Sequence, residues 1–293
     1  VAMNTPWDDI EAISGVSRTE IEHLARLYGA SKRTIFAWTM GITHHEHGVD
    51  NVRAITNLAL ARGMVGRPSR GLLPLRGHSN VQGIGSVGGV PKLKDSTARA
   101  IGEYLGVTMP PGRGMDTLEC VQRASEDKVR MAIHLGGNLF GSCPDATFAR
   151  EALHRIGTTI FMSTTLNTGH MHGRGKESII FPVLARDEEP QATTQESMFN
   201  FVRLSEGGPT RFPGVRSEVD ILIDLAVRVL DPEPARKFEQ FRDFGRIRAM
   251  ISQVIPGYGP MRGIDETRRE FHVEGRLFRD SKFPTSSGKA KFH

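Results

Sequence analysis

Cysteine is scarce. Cys120 and Cys143 are the only two in 293 residues, and neither belongs to a CxxC pair. The sequence therefore offers no zinc or iron–sulfur ligand set. Two isolated thiols suit a reducing compartment, so a cytoplasmic location is expected. No run of about 18 apolar residues occurs, which argues against a transmembrane helix. Val1-Ala2-Met3-Asn4 has no basic segment leading into an apolar stretch, so no signal peptide is expected. Basic runs interleaved with aromatics are also lacking, which argues against nucleic acid as a partner. The formal net charge of +5 is modest and spread along the chain. It fits a solvated surface or attraction of an anionic ligand. The chain starts without an initiating Met and stops abruptly after Lys289-Ala290-Lys291-Phe292-His293. It is expected to be a piece of a longer protein.

With 38% hydrophobic and 24% charged residues, the chain has the balance of a globular protein, and its length suits about two domains. Ser17 and Glu20 form a capping-box pattern ahead of an apolar stripe through Ile21, Leu24, Ala25 and Leu27. Residues 34–38 read as a short buried strand, and 51–64 as a helix. Further on, a helix is expected over 116–125, a strand over 129–135, a helix over 145–156, and strands over 158–162 and 178–181. A last clear helix covers 215–230. The tail beyond Asp231 is charged and is expected to pack as helix and loop on the outside. Alternating strands and helices predict an α/β fold: Rossmann-like parallel sheets with helices on both faces. Ligands of such sheets bind beyond the C-terminal ends of the strands. That rule picks out 136–142, 163–165 and Pro182-Val183.

Between Gly63 and Pro91 the pattern breaks. Eight glycines fall in this stretch, which reads as a long functional loop. Gly83-Ile84-Gly85-Ser86-Val87-Gly88 matches GxGxxG literally. However, no strand is read before it, and Pro91 follows where a helix should begin. A backbone that admits a bulky ligand is the better reading. A nicotinamide-dependent dehydrogenase would require a strand directly before Gly83.

Several side chains qualify as site candidates, each beside a plainer reading. His44-His45-Glu46-His47 and His170-Met171-His172 keep a metallohydrolase open, although adjacent residues fan outward rather than converge. Arg76 stands between His78, Asn80 and flexible glycines. Its planar fork suits a carboxylate or phosphate, or it is simply solvated. Asn138 follows a Gly-Gly turn and can read a base edge or just form the turn. Ser142 can cap the next helix or sit near a phosphate at a helix start.

The blocks Met40-Gly41-Ile42-Thr43-His44-His45-Glu46-His47-Gly48, Gly63-Met64-Val65-Gly66-Arg67-Pro68 and Pro74-Leu75-Arg76-Gly77-His78-Ser79-Asn80-Val81-Gln82-Gly83 resemble the molybdopterin oxidoreductase family. The likeness is to formate dehydrogenase alpha-subunit-like proteins. Leu135-Gly136-Gly137-Asn138, Ser163-Thr164-Thr165 and Ile179-Ile180-Phe181-Pro182 follow in family order, so the resemblance covers nearly the whole chain. It implies molybdenum or tungsten held by two molybdopterin guanine dinucleotides between two α/β domains. By this likeness residues 1–78 are the end of one domain and 79–255 a second, dinucleotide-binding-like domain. Residues 256–293 form a tail towards a C-terminal domain beyond the chain.

The resemblance also assigns roles. Arg76 matches an active-site arginine that orients a small anionic substrate such as formate. His44, Gly77, His78, Asn80, Gly136, Asn138, Ser142, Ser163, Thr164, Val183 and Glu218 match cofactor-contacting positions. His44 and Ser163 stand where Gln is common, Asn138 and Thr164 where Asp is common, and Ser142 where Thr is common. These departures leave formate itself less secure than the cofactor. The family's 4Fe-4S cysteines and metal-ligating Cys or selenocysteine do not occur in these residues, so the chain is not expected to turn over alone. An electron-transfer partner subunit is implied. A cofactor-free α/β fragment is the alternative from another class.

Overall fold

The computed structural model describes residues 4–276, 278 and 280–293. The chain divides into two compact units, residues 1–77 with 276–293, and residues 78–275.

In the first unit, Ser17 and Glu20 form a reciprocal capping box that starts the helix Arg18–Ala30, as their spacing predicts. Strand β1 (Ile35–Trp38) and strand β2 (Gly71–Pro74) pair in parallel, Ile35 opposite Gly71 and Trp38 opposite Pro74. The helix Gly48–Ala61 connects them and buries Ala59. Its first residue must be glycine, because a Cβ there would lie 2.3 Å from the Thr43 carbonyl oxygen. The end of the chain returns to this unit: Asn57 exchanges hydrogen bonds with the His293 backbone at 2.7 and 3.2 Å, and Ser281 Oγ donates to the Val65 carbonyl.

The second unit is built on a parallel sheet of β3 (Met131–Leu135), β4 (Thr158–Ser163) and β5 (Glu177–Pro182), with β4 in the centre. Strand residues alternate between faces, so Ala132, His134, Thr159 and Phe161 share one face while Ile160, Met162, Ile179 and Phe181 share the other. The first face meets the helices Thr117–Ser125 and Ala146–His154, with Val121, Ala124, Ala152, Leu153 and Ile156 as a buried cluster that Ala132 packs against. Towards the second face lie Ile221 and Leu225 of the helix Glu218–Val229, around a groove of about 390 Å³. The architecture is thus α/β with parallel sheets and helices on both faces, in a Rossmann-like arrangement.

Two expectations need correction. Residues 63–91 are not a structureless loop: they contain β2 and the helix Val81–Ser86. β2 is hidden in the sequence because Gly71 and Pro74 bound only two apolar residues, Leu72 and Leu73. Its place comes from the long-range Gly71 N–H to Thr34 carbonyl bond of 3.1 Å. Nor does the tail beyond Asp231 lie outside. The helix Phe244–Val254 and the segment after it bring Val254, Ile255, Tyr258, Met261, Ile264 and Val273 into the largest buried cluster, together with Val202. That cluster covers an antiparallel sheet of β6 (Thr193–Glu196), β7 (Phe201–Ser205) and β8 (Phe271–His272).

Candidate functional site

Parallel strands deliver their C-terminal ends to one edge, and each unit has such an edge. In the first unit β1 runs into Thr39 and the single helical turn Met40–Thr43, then into His44. β2 runs into Leu75 and Arg76. The Gly77 Cβ position lies 3.5 Å from Met40 Cε, so the start of the histidine segment and the Arg76-Gly77 segment share that edge. Arg76 and His44 are exposed. Among the described residues neither side chain has a hydrogen bond or ion pair. An unpaired guanidinium presents a planar fork that suits a carboxylate or phosphate.

His78 and Asn80 fall in the second unit. His78 is exposed. Asn80 adopts left-handed backbone (φ 64°), and its Oδ1 accepts from the Glu196 backbone N–H at 3.0 Å. A Cβ at Gly83 would lie 2.0 Å from that same Oδ1. This explains Asn80 and Gly83 together: the amide ties the glycine-bearing turn to β6, and only glycine leaves room for it. Gly83 and Gly85 lie inside the helix Val81–Ser86, and no strand directly precedes them. The nicotinamide fingerprint therefore lacks its strand–turn–helix context.

The edge of β3, β4 and β5 gathers the other candidates. Gly136 and Gly137 both take positive φ, 65° and 71°, which glycine alone adopts freely. Nothing lies within 4 Å of either Cβ position, so this turn is open. Asn138 caps the short helix Leu139–Ser142 by accepting from the Gly141 N–H at 2.8 Å. Its Nδ2 donates to Thr168 Oγ1 at 2.8 Å. Asn138 is thus a cap and a cross-loop clamp at once. Ser142 does not cap the next helix. Its hydroxyl returns to the Leu139 carbonyl at 3.1 Å, and Asp145 caps Ala146–His154 through the Phe148 N–H.

Ser163 ends β4 and is buried, with its Oγ 3.0 Å from His170 Nε2; Thr164 beside it is exposed. Val183 is buried. Its backbone N–H donates to the Ser163 carbonyl at 3.2 Å, and it bridges Arg216. That bridge brings Ser217 and Glu218, at the start of the helix Glu218–Val229, to the same edge. Burial raises the Glu218 carboxyl above the ordinary glutamate range.

Three residues at this edge escape local reading, Asn167, Thr168 and Glu189, and a fourth, His170, stands in the sequence only as a metal candidate. Asn167 Nδ2 donates to the Gly137 carbonyl at 3.0 Å, and Thr168 receives Asn138. These two contacts staple the loop after β4 to the loop after β3. His170 holds Ser163. Glu189 is 8% exposed, its Oε2 has no hydrogen-bond partner among the described residues, and burial raises its carboxyl. For Asn167, Thr168 and His170 the Asn-Thr-Gly-His capping pattern is the available signal; their partners lie up to thirty residues away, which no local pattern shows.

The histidine clusters do not make a ligand set. His45 and His47 have ring centroids 5.9 Å apart, His170 is bound to Ser163, and His172 lies against Phe140. Among the described residues no three His, Cys, Asp or Glu side chains converge. Nor is any helix among them long and apolar enough to cross a membrane.

No protein-family model matches the chain. Along nearly its whole length it is similar to longer proteins, oxidoreductases among them. The protein YdeP of Escherichia coli is 35% identical over 303 residues, covering 99% of this chain and 39% of YdeP. An uncharacterised oxidoreductase of Mycobacterium tuberculosis is 32% identical over 295 residues, covering 97% of this chain and 38% of that protein. The alpha subunit of the F420-dependent formate dehydrogenase of Methanocaldococcus jannaschii is 32% identical over 303 residues, covering 95% of this chain and 42% of the subunit. The chain therefore spans about two fifths of the length of these relatives.

Proposed function

The chain is homologous to a stretch of the formate dehydrogenase-like oxidoreductases, and from that premise we propose that it is the central, cofactor-holding portion of a molybdopterin-dependent enzyme. The full protein would carry out a two-electron oxidation or reduction of a small anionic substrate such as formate. When bound, a molybdenum or tungsten bis-molybdopterin guanine dinucleotide centre supplies the redox chemistry. A 4Fe-4S centre outside these residues would pass electrons to a partner subunit.

The observation that carries this reading is the open edge of β3, β4 and β5. Gly136 and Gly137 leave free space over their Cα atoms, which is what a backbone needs to approach a phosphate or a ring closely. Asn138 and Asn167 make the two loops rigid through the clamps described above, so the edge is organised before any ligand arrives. Ser163 and Thr164 supply hydroxyls, Val183 a backbone position, and Glu218 a carboxyl at a helix start. A dinucleotide fits this donor and acceptor set. Gly77, His78 and Asn80 belong to the stretch linking the two units, where the Asn80 amide fixes the turn.

In this reading Arg76 would hold the substrate anion. Its guanidinium has no competing carboxylate among the described residues, so an incoming oxyanion meets an unneutralised charge. A fixed positive group beside the reacting carbon binds the anion and keeps it oriented while electrons leave it. His44, exposed on the same edge, would contact the cofactor.

The reading is tested by anaerobic dye reduction with the full-length protein and a panel of small carboxylates and oxyanions. Turnover with a member of that panel supports it. Transfer to a nicotinamide, with no dye reduction, would contradict it.

A further inference from the structure

His170 is outside the set of cofactor-contacting positions, yet both of its ring nitrogens have partners. Nδ1 lies 3.0 Å from the Asn167 backbone nitrogen. Nδ1 also lies 3.3 Å from the Asn167 carbonyl oxygen, but the shorter contact is from a backbone N–H, which can only donate, and it assigns the lone pair to Nδ1. In the neutral ring the proton then sits on Nε2, 3.0 Å from Ser163 Oγ, and donates to it. The ring is held from the side by Phe161, with centroids 4.7 Å apart. Phe161 is stacked in turn on His134 at 4.9 Å.

The backbone carrying His170 is equally fixed. A Cβ at Gly169 would lie 2.6 Å from Asn138 Oδ1 and 3.0 Å from Asn167 Oδ1, so the turn is pressed against the two clamping asparagines.

This arrangement decides what Ser163 can do. Its oxygen accepts from Nε2–H, and among the described residues its hydroxyl has no other partner. The hydroxyl proton is therefore left to donate, from a serine that is only 7% exposed. A buried hydroxyl proton without an acceptor costs roughly 1–3 kcal/mol, so the structure reserves it. Nucleophilic use of Ser163 is excluded by the same geometry, because a ring that already carries its proton on Nε2 cannot remove the one on Oγ.

We propose, resting on the nucleotide-edge reading above, that His170 is a positioning residue that aims the Ser163 hydroxyl proton at a phosphoryl oxygen of the bound nucleotide. His170 itself does not touch the ligand. It turns Ser163 from a rotor into a one-way donor, set at the end of the central strand.

The test is calorimetric titration of the chain with GDP, using Ser163→Ala, His170→Ala, the double variant and His170→Gln. A charge-assisted bond of the usual strength corresponds to about a 10-fold change in affinity. Ser163→Ala and His170→Ala should each weaken GDP by that factor, and the double variant should be no weaker than either one. His170→Gln, whose amide can still donate to Ser163, should recover most of the loss. Losses that multiply in the double variant would overturn the proposal, as would a His170→Ala variant that binds like the wild type. Long-range ¹⁵N spectra of the ligand-free chain give a second readout. They should show the Nε2–H tautomer at His170, and an Nδ1–H tautomer would overturn the positioning role whatever GDP does. Wild-type chain with the expected tautomer and no GDP binding would refute the nucleotide-edge reading instead, and with it the ligand-facing role of Ser163.

Discussion

The Leu75 backbone N–H donates to the Trp38 carbonyl at 2.8 Å. This bond carries the parallel pairing of β1 and β2 one residue past Pro74, and so Arg76 leaves the sheet at the same edge as the Met40–Thr43 turn. Arg76 then projects from a fixed stem rather than a floppy loop. In the full-length protein, Arg76→Ala should lower turnover by about 100-fold, as loss of substrate positioning does, while metal content stays near wild type. Arg76→Lys should recover little of this, because an ammonium lacks the planar fork. Activity and metal analysis on the same preparations check it. Parallel loss of both would make Arg76 a cofactor-retention residue.

Asn138 makes its two side-chain bonds with different atoms. Asn138→Ala removes both the cap at Gly141 and the clamp at Thr168, and should destabilise the second unit by about 1–3 kcal/mol. Asn138→Asp keeps an oxygen for the cap and loses only the donor to Thr168, so it should cost less than the alanine. Denaturant unfolding of the three chains orders them. An aspartate as damaging as the alanine would mean that the clamp, not the cap, dominates.

Some of this was legible in the residues alone. Helices that begin with a capping box, after Ser17 and Asp116, stand where their patterns predict. The apolar runs of β1, β4 and β5 also mark strands, because each carries several β-branched or aromatic residues between turn signals. Other elements have no such mark. Thr193-Thr194-Gln195-Glu196 has no apolar alternation, and its strand exists because β7 pairs with it. The core around Tyr258 is interrupted by Pro256, Gly257, Gly259 and Pro260, which erase any period. At the candidate site the strand ends could be read, while the clamps between Asn138 and Thr168, and between Asn167 and Gly137, are tertiary contacts that local sequence does not encode. Ser142 is not the cap of the next helix for a related reason: Asp145, three residues on, is the better one.

Buried carboxyls should give the stability a definite pH slope. Burial raises both Glu189 and Glu218; for Glu189 a bond from Ser217 opposes the shift, and Asp220 and Glu218 add to it. A raised folded value means the folded chain binds more protons than the unfolded one. The stabilising contribution is complete below the ordinary glutamate value of 4.5 and is lost as pH rises through the raised values. Asp224, lowered to about 2 by bonds from Arg242 and Arg216, acts in the opposite sense. Its contribution is lost only as pH falls below the ordinary aspartate value of 3.8 towards about 2. Glu189→Gln should therefore raise the melting temperature at pH 7 and flatten the decline that sets in above the ordinary glutamate value of 4.5. A melting profile unchanged by this substitution would contradict the assignment.

Glu196 is buried in the second unit, where its carboxylate receives the Tyr258 hydroxyl and Asn200 Nδ2. Its backbone N–H also holds Asn80. Tyr258→Phe removes one donor from a buried carboxylate and should cost about 1–3 kcal/mol. The loss should extend to the turn at Asn80, seen as faster amide exchange over the helix Val81–Ser86. A neutral Tyr258→Phe would show that the hydroxyl is not needed there.

If the open strand-end edge belongs to a metal–pterin enzyme, the full-length protein carries metal and nucleotide together. The most direct test is quantitative analysis of the purified full-length protein that contains these residues, for molybdenum, tungsten and released guanine nucleotide. The expected result is one molybdenum or tungsten with about two guanine nucleotides per chain, as a cofactor of two dinucleotides requires. Protein that is folded and active as an oxidoreductase yet carries neither metal nor guanine nucleotide would contradict it.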